Sequence, residues 1–337
     1  MDQPKLGFIG CGRHATMCLY PSLEAAGIRL AAVCAAHLDH ADSVAKKYDV
    51  PHAYDDYHQM LEKEHLDGVC VVVSEASHVQ IVLDCLSAGV HVFVEKPVGS
   101  TVADAKRVAD AADNAKKFVQ VGYMKRFSPV YQKAKTLISD ETRFGQLVSV
   151  QSTFTCRNFG FTDDRNFLLN AAIHNVDLLR LFCGEITDIR GFKRVIPEGV
   201  SYNFSFASAN GVIGTMTIMA LPPWAHRKEE LILSGTRGFV SATELKNVTF
   251  HPSTTDVAAP RWQVLEEREE RFASMDSTSS GGLQPLYLTG FVAELAAFAH
   301  AVSTGVAAPI NTASENVKTM ELCELILGSL QDPLSTS

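Results

Sequence analysis

The sequence predicts a two-part α/β protein: a doubly wound parallel sheet over residues 1–122, then an α+β half over 123–337 built on a large, mostly antiparallel open sheet. Three observations lead there. Short apolar runs alternate with helix-patterned segments through the first half-domain, the signature of a parallel sheet covered on both faces. After Gly122 the pattern changes to longer alternating strands joined by hairpin signals. At the first strand-to-helix junction stands a glycine-rich turn, Gly10-Cys-Gly12-Arg-His-Ala15.

Taken in order, LGFIG reads as the first strand, followed by a helix from Thr16 to Ala26. RLAAVCA is the second strand, with helices at His40 to Tyr48 and Tyr54 to Glu64 behind it. GVCVVV, a helix from His78 to Ala88, HVFVEK, a helix from Val102 to Ala115 and FVQVG complete the alternation. In the second half, a helix near Pro129 to Ser139 leads into GQLVSVQSTFT, and a further helix covers Asn170 to Phe182. Two hairpins are expected, one turning at Asn210-Gly211 and one at Thr236 to Gly238. The polar stretch from Thr254 to Gly282 reads as a strand plus an irregular loop, and helices at Leu288 to Thr304 and Ser314 to Ser329 close the chain.

At 337 residues there is material for two cores, with 46% hydrophobic and 20% charged residues, the balance of a globular protein. A net charge of -8 carries no electrostatic footprint for nucleic acid. A small-molecule ligand is expected instead. The eight cysteines, Cys11, Cys18, Cys34, Cys70, Cys85, Cys156, Cys183 and Cys323, form no C-x-x-C pair and sit mostly in apolar surroundings, so buried free thiols are expected and a metal site is not. With strand-like residues close to Met1 and no membrane-length apolar run, the expected location is cytoplasmic, without membrane association.

The glycine turn fits G-x-G-x-x-A in the context that gives it meaning. Gly10 permits the tight turn, Gly12 lets the backbone approach a pyrophosphate, Ala15 keeps helix and strand close, and Arg13 and His14 flank the anion held by the helix start. A dinucleotide site follows. NAD sites place an acid about 20 residues on, to accept from the ribose 2'-hydroxyl. Here the second strand ends in Ala35, Ala36 and His37, with no acid before Asp39. Arg13, His37 or His40 can meet a 2'-phosphate, so NADP is favoured over NAD.

The run Val92 to Ser100, VFVEKPVGS, ends an apolar strand on two opposite charges and a proline that cannot donate to a ladder. Ligands in open parallel sheets bind beyond the carboxyl ends of the strands. Glu95 and Lys96 are therefore expected at the ligand end of the sheet, with Lys96 a candidate reactive group.

Together, G-x-G-x-x-A, GVHVFVEKPVGST, VGYMKRFSP, an H-N-V-D helix start near residue 174 and the closing APINTASENVKTMELCELI resemble the glucose-fructose oxidoreductase/inositol dehydrogenase/MocA family along essentially the whole chain. The resemblance implies a Rossmann domain followed by a substrate and oligomerisation domain. It implies that Lys96 contacts nicotinamide ribose and substrate and helps move the hydroxyl proton, often from beside a cis proline. Relatives read D-x-G-x-H-x-x-D where this chain has Asn170, Ala172, His174 and Asp177. An amide cannot relay a proton, so Lys96 and His174 are assigned that work and Asn170 an orienting role. Ser74 and His78 match a loop that relatives write T-P-x-x-x-H near the pyrophosphate, with Glu75 in place of the proline.

Substrate contacts are expected from Met124 and Lys125 after the sixth strand, from His174, Asn170 and Asp177, and from Arg157, Asn158 and Arg165, whose arginines suit a carboxylate. Lys125 reads equally as part of a solvated basic turn. Trp224 suits either a sugar face or an interface and is left unassigned. The expected protein is an NAD(P)-dependent oxidoreductase acting on a secondary alcohol or ketone carbon of a sugar, cyclitol or related polyol. An aryl diol or other non-carbohydrate substrate, or a non-catalytic sugar and dinucleotide sensor, are the competing readings. The resemblance also implies a homodimer or homotetramer formed through the C-terminal sheet.

Overall fold

In the computed structural model, residues 3–223, 228–253, 268–275, 279, 282–306 and 311–331 are described. Trp224 and most of the polar stretch from Thr254 to Gly282 lie outside these residues. Two compact units are present: residues 1–127 with 279–321, and residues 128–278 with 322–337.

The first unit is a six-stranded parallel sheet of β1 (Leu6–Ile9), β2 (Leu30–Cys34), β3 (His52–Tyr54), β4 (Gly68–Val71), β5 (His91–Val94) and β6 (Val119–Val121), in the order β3-β2-β1-β4-β5-β6. The order reverses at β1, so the β1 and β4 ends flank the switch point at which such sheets bind ligands. Every residue of β1 and β4 is buried, as a sheet covered on both faces requires. Helices α1 (Tyr20–Ala25), α2 (Leu38–Tyr48), α3 (Tyr57–Glu64), α4 (Glu75–Ser87) and α5 (Val102–Ala115) supply the crossovers. Helix α5 begins where Thr101 accepts the Asp104 N–H, which gives the boundary its sharpness.

Strand β3 is missing from the sequence reading because its three residues at the sheet edge carry no buried run. The predicted helix from Thr16 is broken in kind: Ala15–Leu19 is a π turn, and regular α geometry starts at Tyr20.

The second unit holds helix α6 (Pro129–Ile138), a short helix α7 (Asp164–Phe167), a π turn at Leu168–Ala172 and helix α8 (Ile173–Cys183). Among the described residues its sheet has nine strands, running β14 (Glu270–Ala273), β13 (Asn247–Pro252), β12 (Gly238–Thr243), β11 (Lys228–Gly235), β7 (Leu147–Cys156), β10 (Ile213–Ala220), β9 (Gly199–Ser208), β8 (Ile186–Ile196) and β15 (Leu330–Gln331) across the sheet. Both expected hairpins form: β9 and β10 pair antiparallel around Asn210-Gly211, and β11 and β12 around Thr236-Arg237. Strand β7 pairs antiparallel with β11 and parallel with β10, so the sheet is mixed at its centre.

The sequence reading divides the chain between 122 and 123 and leaves everything after it in one half. The structure continues the first unit to Phe127, through the 3-10 turn Met124–Phe127, and returns α9 (Leu283–Thr289), α10 (Phe291–Thr304) and the front of α11 (Ala313–Ser329) to it. The physical reason is burial. Leu295 and Phe298 of α10 are fully buried in the same core as Leu6, Phe8 and Phe93, which a linear reading of domains cannot anticipate. Gln120 Nε2 donates to the Glu294 carbonyl at 2.9 Å, and the Tyr123 hydroxyl donates to Asn316 Oδ1 at 2.7 Å, fixing the end of β6 to the returning helices. Among the described residues no single helix is long and apolar enough to cross a membrane; α9 and α10 pass that test only as a pair bent by 66°.

Candidate functional site

Within the first unit, the sheet brings most of the predicted cofactor residues to the carboxyl ends of β1, β2, β4 and β5. Gly10 has φ +118°, and a Cβ there would lie 1.9 Å from the Val72 carbonyl oxygen, so the turn admits glycine alone. A Cβ on Gly12 would meet nothing within 4 Å. Open space over an exposed backbone at a helix entry is what a phosphate cradle requires. Ala15 is buried against the core, as helix-to-strand packing demands. The donor set and the cradle therefore fit a dinucleotide.

Arg13 and His14 are exposed on the same turn. Arg13 Nε donates to Met17 Sδ at 3.3 Å, and His14 Nε2 lies 3.2 Å from Glu95 Oε1. The His14 imidazole is pushed up to about 10 by hydrogen bonding to the Cys18 thiol and then to Glu95, against the opposing effect of burial. Its side chain is nonetheless half exposed, at 51%, so solvent weakens the energetic meaning of that shift.

Glu95 is only 5% exposed. Besides His14 it accepts the Lys96 backbone N–H at 3.2 Å, and a Cβ on Gly122 would press against its carboxyl at 3.0 Å. Sequence reasoning missed Gly122. The signal was available, since a glycine directly after the sixth strand marks a close approach. Glu95 thus ties the β5 end to the glycine turn and sets the direction in which the chain delivers Lys96. Lys96 itself is half-buried and precedes a cis peptide bond to Pro97.

His78 is buried and its Nδ1 donates to the Pro97 carbonyl at 3.0 Å, holding the β4–α4 turn against the Lys96-Pro97 segment. Ser74, exposed at the α4 N-cap, lies within hydrogen-bond distance of the Ser77 hydroxyl, at 3.2 Å. At the end of β2, Ala35 is buried and donates its N–H to the Tyr54 carbonyl, while the His37 and His40 rings stand edge to face at 5.7 Å on the first turn of α2. Met124 and Lys125 are 7% and 3% exposed, so the basic turn is not a solvated one. Asn311, at φ +66° and fully buried, donates to the Tyr123 carbonyl at 3.2 Å and fixes the segment that carries them.

In the second unit, Asn170, His174 and Asp177 lie on continuous helical structure, but the turn holding Asn170 is π rather than α. An inserted π turn is a frequent accompaniment of functional positions. Asn170 is exposed, His174 is 9% exposed and Asp177 1%.

The β7–α7 segment divides its predicted contacts. Arg157 is exposed. Asn158 Oδ1 accepts the Gly160 and Phe161 N–H groups at 3.0 and 3.3 Å, and its Nδ2 donates to the Glu198 carbonyl, so this side chain shapes its own loop. Arg165 forms a bidentate pair with Glu324 at 2.6 and 2.7 Å. Asp164 joins Lys193 and Tyr202, each at 2.6 Å, and Phe161, Phe167 and Tyr202 form a ladder behind it. These partners come from β8, β9 and α11, and no local pattern in the sequence announces them. Among the described residues, no group of three or more His, Cys, Asp or Glu side chains is placed to hold a metal ion, and all eight cysteines are free thiols.

Residues 5–123 match the oxidoreductase family model GFO_IDH_MocA, described as an NAD-binding Rossmann fold. Inositol 2-dehydrogenase of Salmonella typhimurium is 28% identical over 175 residues, 51% of this chain and 51% of that protein, so the match spans about half the length of that relative. Inositol 2-dehydrogenase 2 of Saccharopolyspora erythraea is 27% identical across 92% of this chain and 96% of its own. A crystal structure of a dehydrogenase from Chromobacterium violaceum superposes with a TM-score of 0.85 at 21% identity, covering 99% of this chain and 96% of that one, a likeness of fold. With the glycine turn and the Glu95-Lys96-Pro97 strand end in place, residues 5–123 form an NAD-binding Rossmann domain of the glucose-fructose oxidoreductase/inositol dehydrogenase/MocA type.

Proposed function

We propose that this protein is an NAD(P)-dependent oxidoreductase that moves a hydride between nicotinamide and a secondary alcohol or ketone carbon of a sugar, cyclitol or related polyol. The observation that carries the reading is the strand end at Glu95-Lys96. Glu95, buried, is tied to the glycine turn through His14 and accepts the Lys96 backbone N–H, which supports Lys96 as the group that meets the dinucleotide. Bound nicotinamide supplies the hydride chemistry, and the protein contributes position and one proton path. Lys96, with His174, takes the hydroxyl proton in oxidation and returns it in reduction. Asn170 orients the substrate by hydrogen bonding, and Met124, Lys125, Arg157 and Asp177 shape or support its pocket.

On the cofactor, Gly10, Gly12, Arg13, His14 and Ala15 hold the pyrophosphate end, with Ser74 and His78 supporting the turn beside it. NADP is favoured over NAD because the β2 end offers Ala35, His37 and His40 and no carboxylate before Asp39. Replacing His37→Asp reverses the ratio of the two affinities.

Homodimer or homotetramer formation through the open face of the nine-stranded sheet is part of the same reading. Strand register places Phe192, Ile213 and Phe239 on one face, 58%, 58% and 41% exposed, among serines and threonines. Light scattering is expected to give at least twice the chain mass, and a monomer would overturn this part.

The catalytic proposal is tested by nicotinamide absorbance with NADP or NAD and a panel of cyclitols, aldoses, uronic acids and aryl diols, with Lys96→Ala alongside. Turnover in the wild type that vanishes in the variant is expected. Dinucleotide binding without turnover on any alcohol, or on the matching ketones with reduced cofactor, would favour a sensor, the reading toward which the amide of Asn170 points.

A further inference from the structure

On the first unit, a cavity of about 300 Å³ lies between the end of α1 and the end of α2, beyond the amino end of β2 and away from the residues assigned to the cofactor. That volume is within the range of small-molecule sites. Its floor is apolar and tightly packed: Tyr20, Leu23, Leu30 and Val50 are between 1% and 8% exposed. Tyr20 and Tyr48, both lining residues, stack on each other with centroids 5.2 Å apart at 19°. Tyr20, 1% exposed, is closed off by Phe8 and Tyr48, so the half-buried Tyr48 is the aromatic face that the lining offers, and such a face favours a flat ring.

The rim carries charge of both signs. Arg29 and Asp49 approach each other at 3.9 Å, which leaves Lys47 and Glu24 as the further charged pair of the lining. Lys47 Nζ stands 4.9 Å from the Tyr48 ring centroid. One ammonium and one carboxylate above an aromatic floor complement a molecule with one carboxylate, one ammonium and a ring.

Tyr20 connects this cavity to the glycine turn. Its hydroxyl donates to the Gly10 carbonyl at 3.1 Å and lies 3.5 Å from Cys11 Sγ, and its ring stacks on Phe8 at 4.2 Å. Burial pushes the phenol up, so it remains a donor. A ligand that shifts the Tyr20–Tyr48 stack therefore shifts a hydrogen bond to the residue that shapes the phosphate cradle.

We propose that this cavity binds a compact aromatic zwitterion of the α-amino acid type and that its occupancy is coupled to dinucleotide affinity through Tyr20. The binding half stands by itself, whereas the coupling half rests on the dinucleotide reading given above. Because linkage is reciprocal, each ligand alters the affinity of the other by the same factor.

The probe is L-phenylalanine, compared by calorimetry with phenylacetate and phenethylamine, each of which lacks one of the two charges. L-phenylalanine is expected to bind with a Kd of about 1 mM or tighter and each single-charge analogue about tenfold more weakly. Lys47→Met and Tyr48→Ala are each expected to weaken it about tenfold, while the dinucleotide Kd of Lys47→Met without probe is unchanged. Saturating L-phenylalanine is expected to change the dinucleotide Kd of the wild type about threefold or more, and to leave it unchanged in Tyr20→Phe, which keeps the ring and removes the hydroxyl. Absence of heat from all three probes at about 10 mM overturns the site, as does binding that Lys47→Met and Tyr48→Ala leave intact. Binding with no effect on the dinucleotide Kd overturns the coupling, and failure of the dinucleotide itself to bind is a separate result, read in the titration without probe.

Discussion

The two units hold their candidate site residues by different physics. In the first, position is set by backbone: a glycine that no Cβ could replace, an exposed helix entry, and a strand end whose carboxylate is fixed by Gly122, His14 and the Lys96 N–H. In the second, position is set by side chains from distant strands and helices, as with Arg165 on Glu324 and Asp164 on Lys193 and Tyr202. Backbone geometry of the first kind demands particular residues at particular spacings. Side-chain support of the second kind can be met by many combinations, which is how one architecture serves different substrates.

The largest effect that would break this contrast is at Gly10. Gly10→Ala places a Cβ against the Val72 carbonyl at a positive φ, and is expected to cost about 3 kcal/mol or more and to abolish dinucleotide binding. Denaturant midpoints and a dinucleotide titration check it, and a normal variant would remove the backbone argument. Next, Lys96→Ala is expected to lower turnover about 100-fold or more with the melting temperature little changed, as for a lost general acid or base.

A smaller effect is expected where support is by exposed side chains. Arg165 and Glu324 are 42% and 38% exposed, so Glu324→Ala should cost about 1 kcal/mol or less despite bidentate geometry. Urea unfolding reads that cost. Should Arg165 serve substrate directly, Glu324→Ala would leave KM intact and Arg165→Ala would raise it; as a clamp, both variants move together.

The smallest effect sharpens the picture at His14. Its imidazole is raised to about 10 in the folded chain, so the stabilisation it brings is fully present below about pH 6.5, its ordinary value, and is lost as pH rises through about 10. With the side chain half exposed, the difference in stability between wild type and His14→Gln should be a few tenths of a kcal/mol at pH 6 and vanish near pH 10.5, as read from paired melting curves. A difference that grows with pH would reverse the assigned sign.

The same contrast explains what was legible in the sequence. The glycine turn, the Glu95-Lys96-Pro97 strand end and helix Val102–Ala115 could be read because each leaves a local residue pattern. Strand β3 could not, since three half-exposed residues at a sheet edge carry no periodicity. Nor could the return of α10 to the first unit, which depends on Leu295 and Phe298 filling a core laid down some two hundred residues earlier. On the substrate side, His174 is a candidate by resemblance alone, and the partners of Asn158 and Arg165 became visible only once their contacts were.

The measurement that bears most directly on the central claim is dinucleotide affinity and turnover, determined side by side in the wild type and Lys96→Ala on the substrate that the panel identifies. A backbone-built cradle with side-chain proton transfer predicts a dinucleotide Kd within about tenfold of wild type and turnover lower by about 100-fold or more. Turnover that survives in Lys96→Ala would contradict the account.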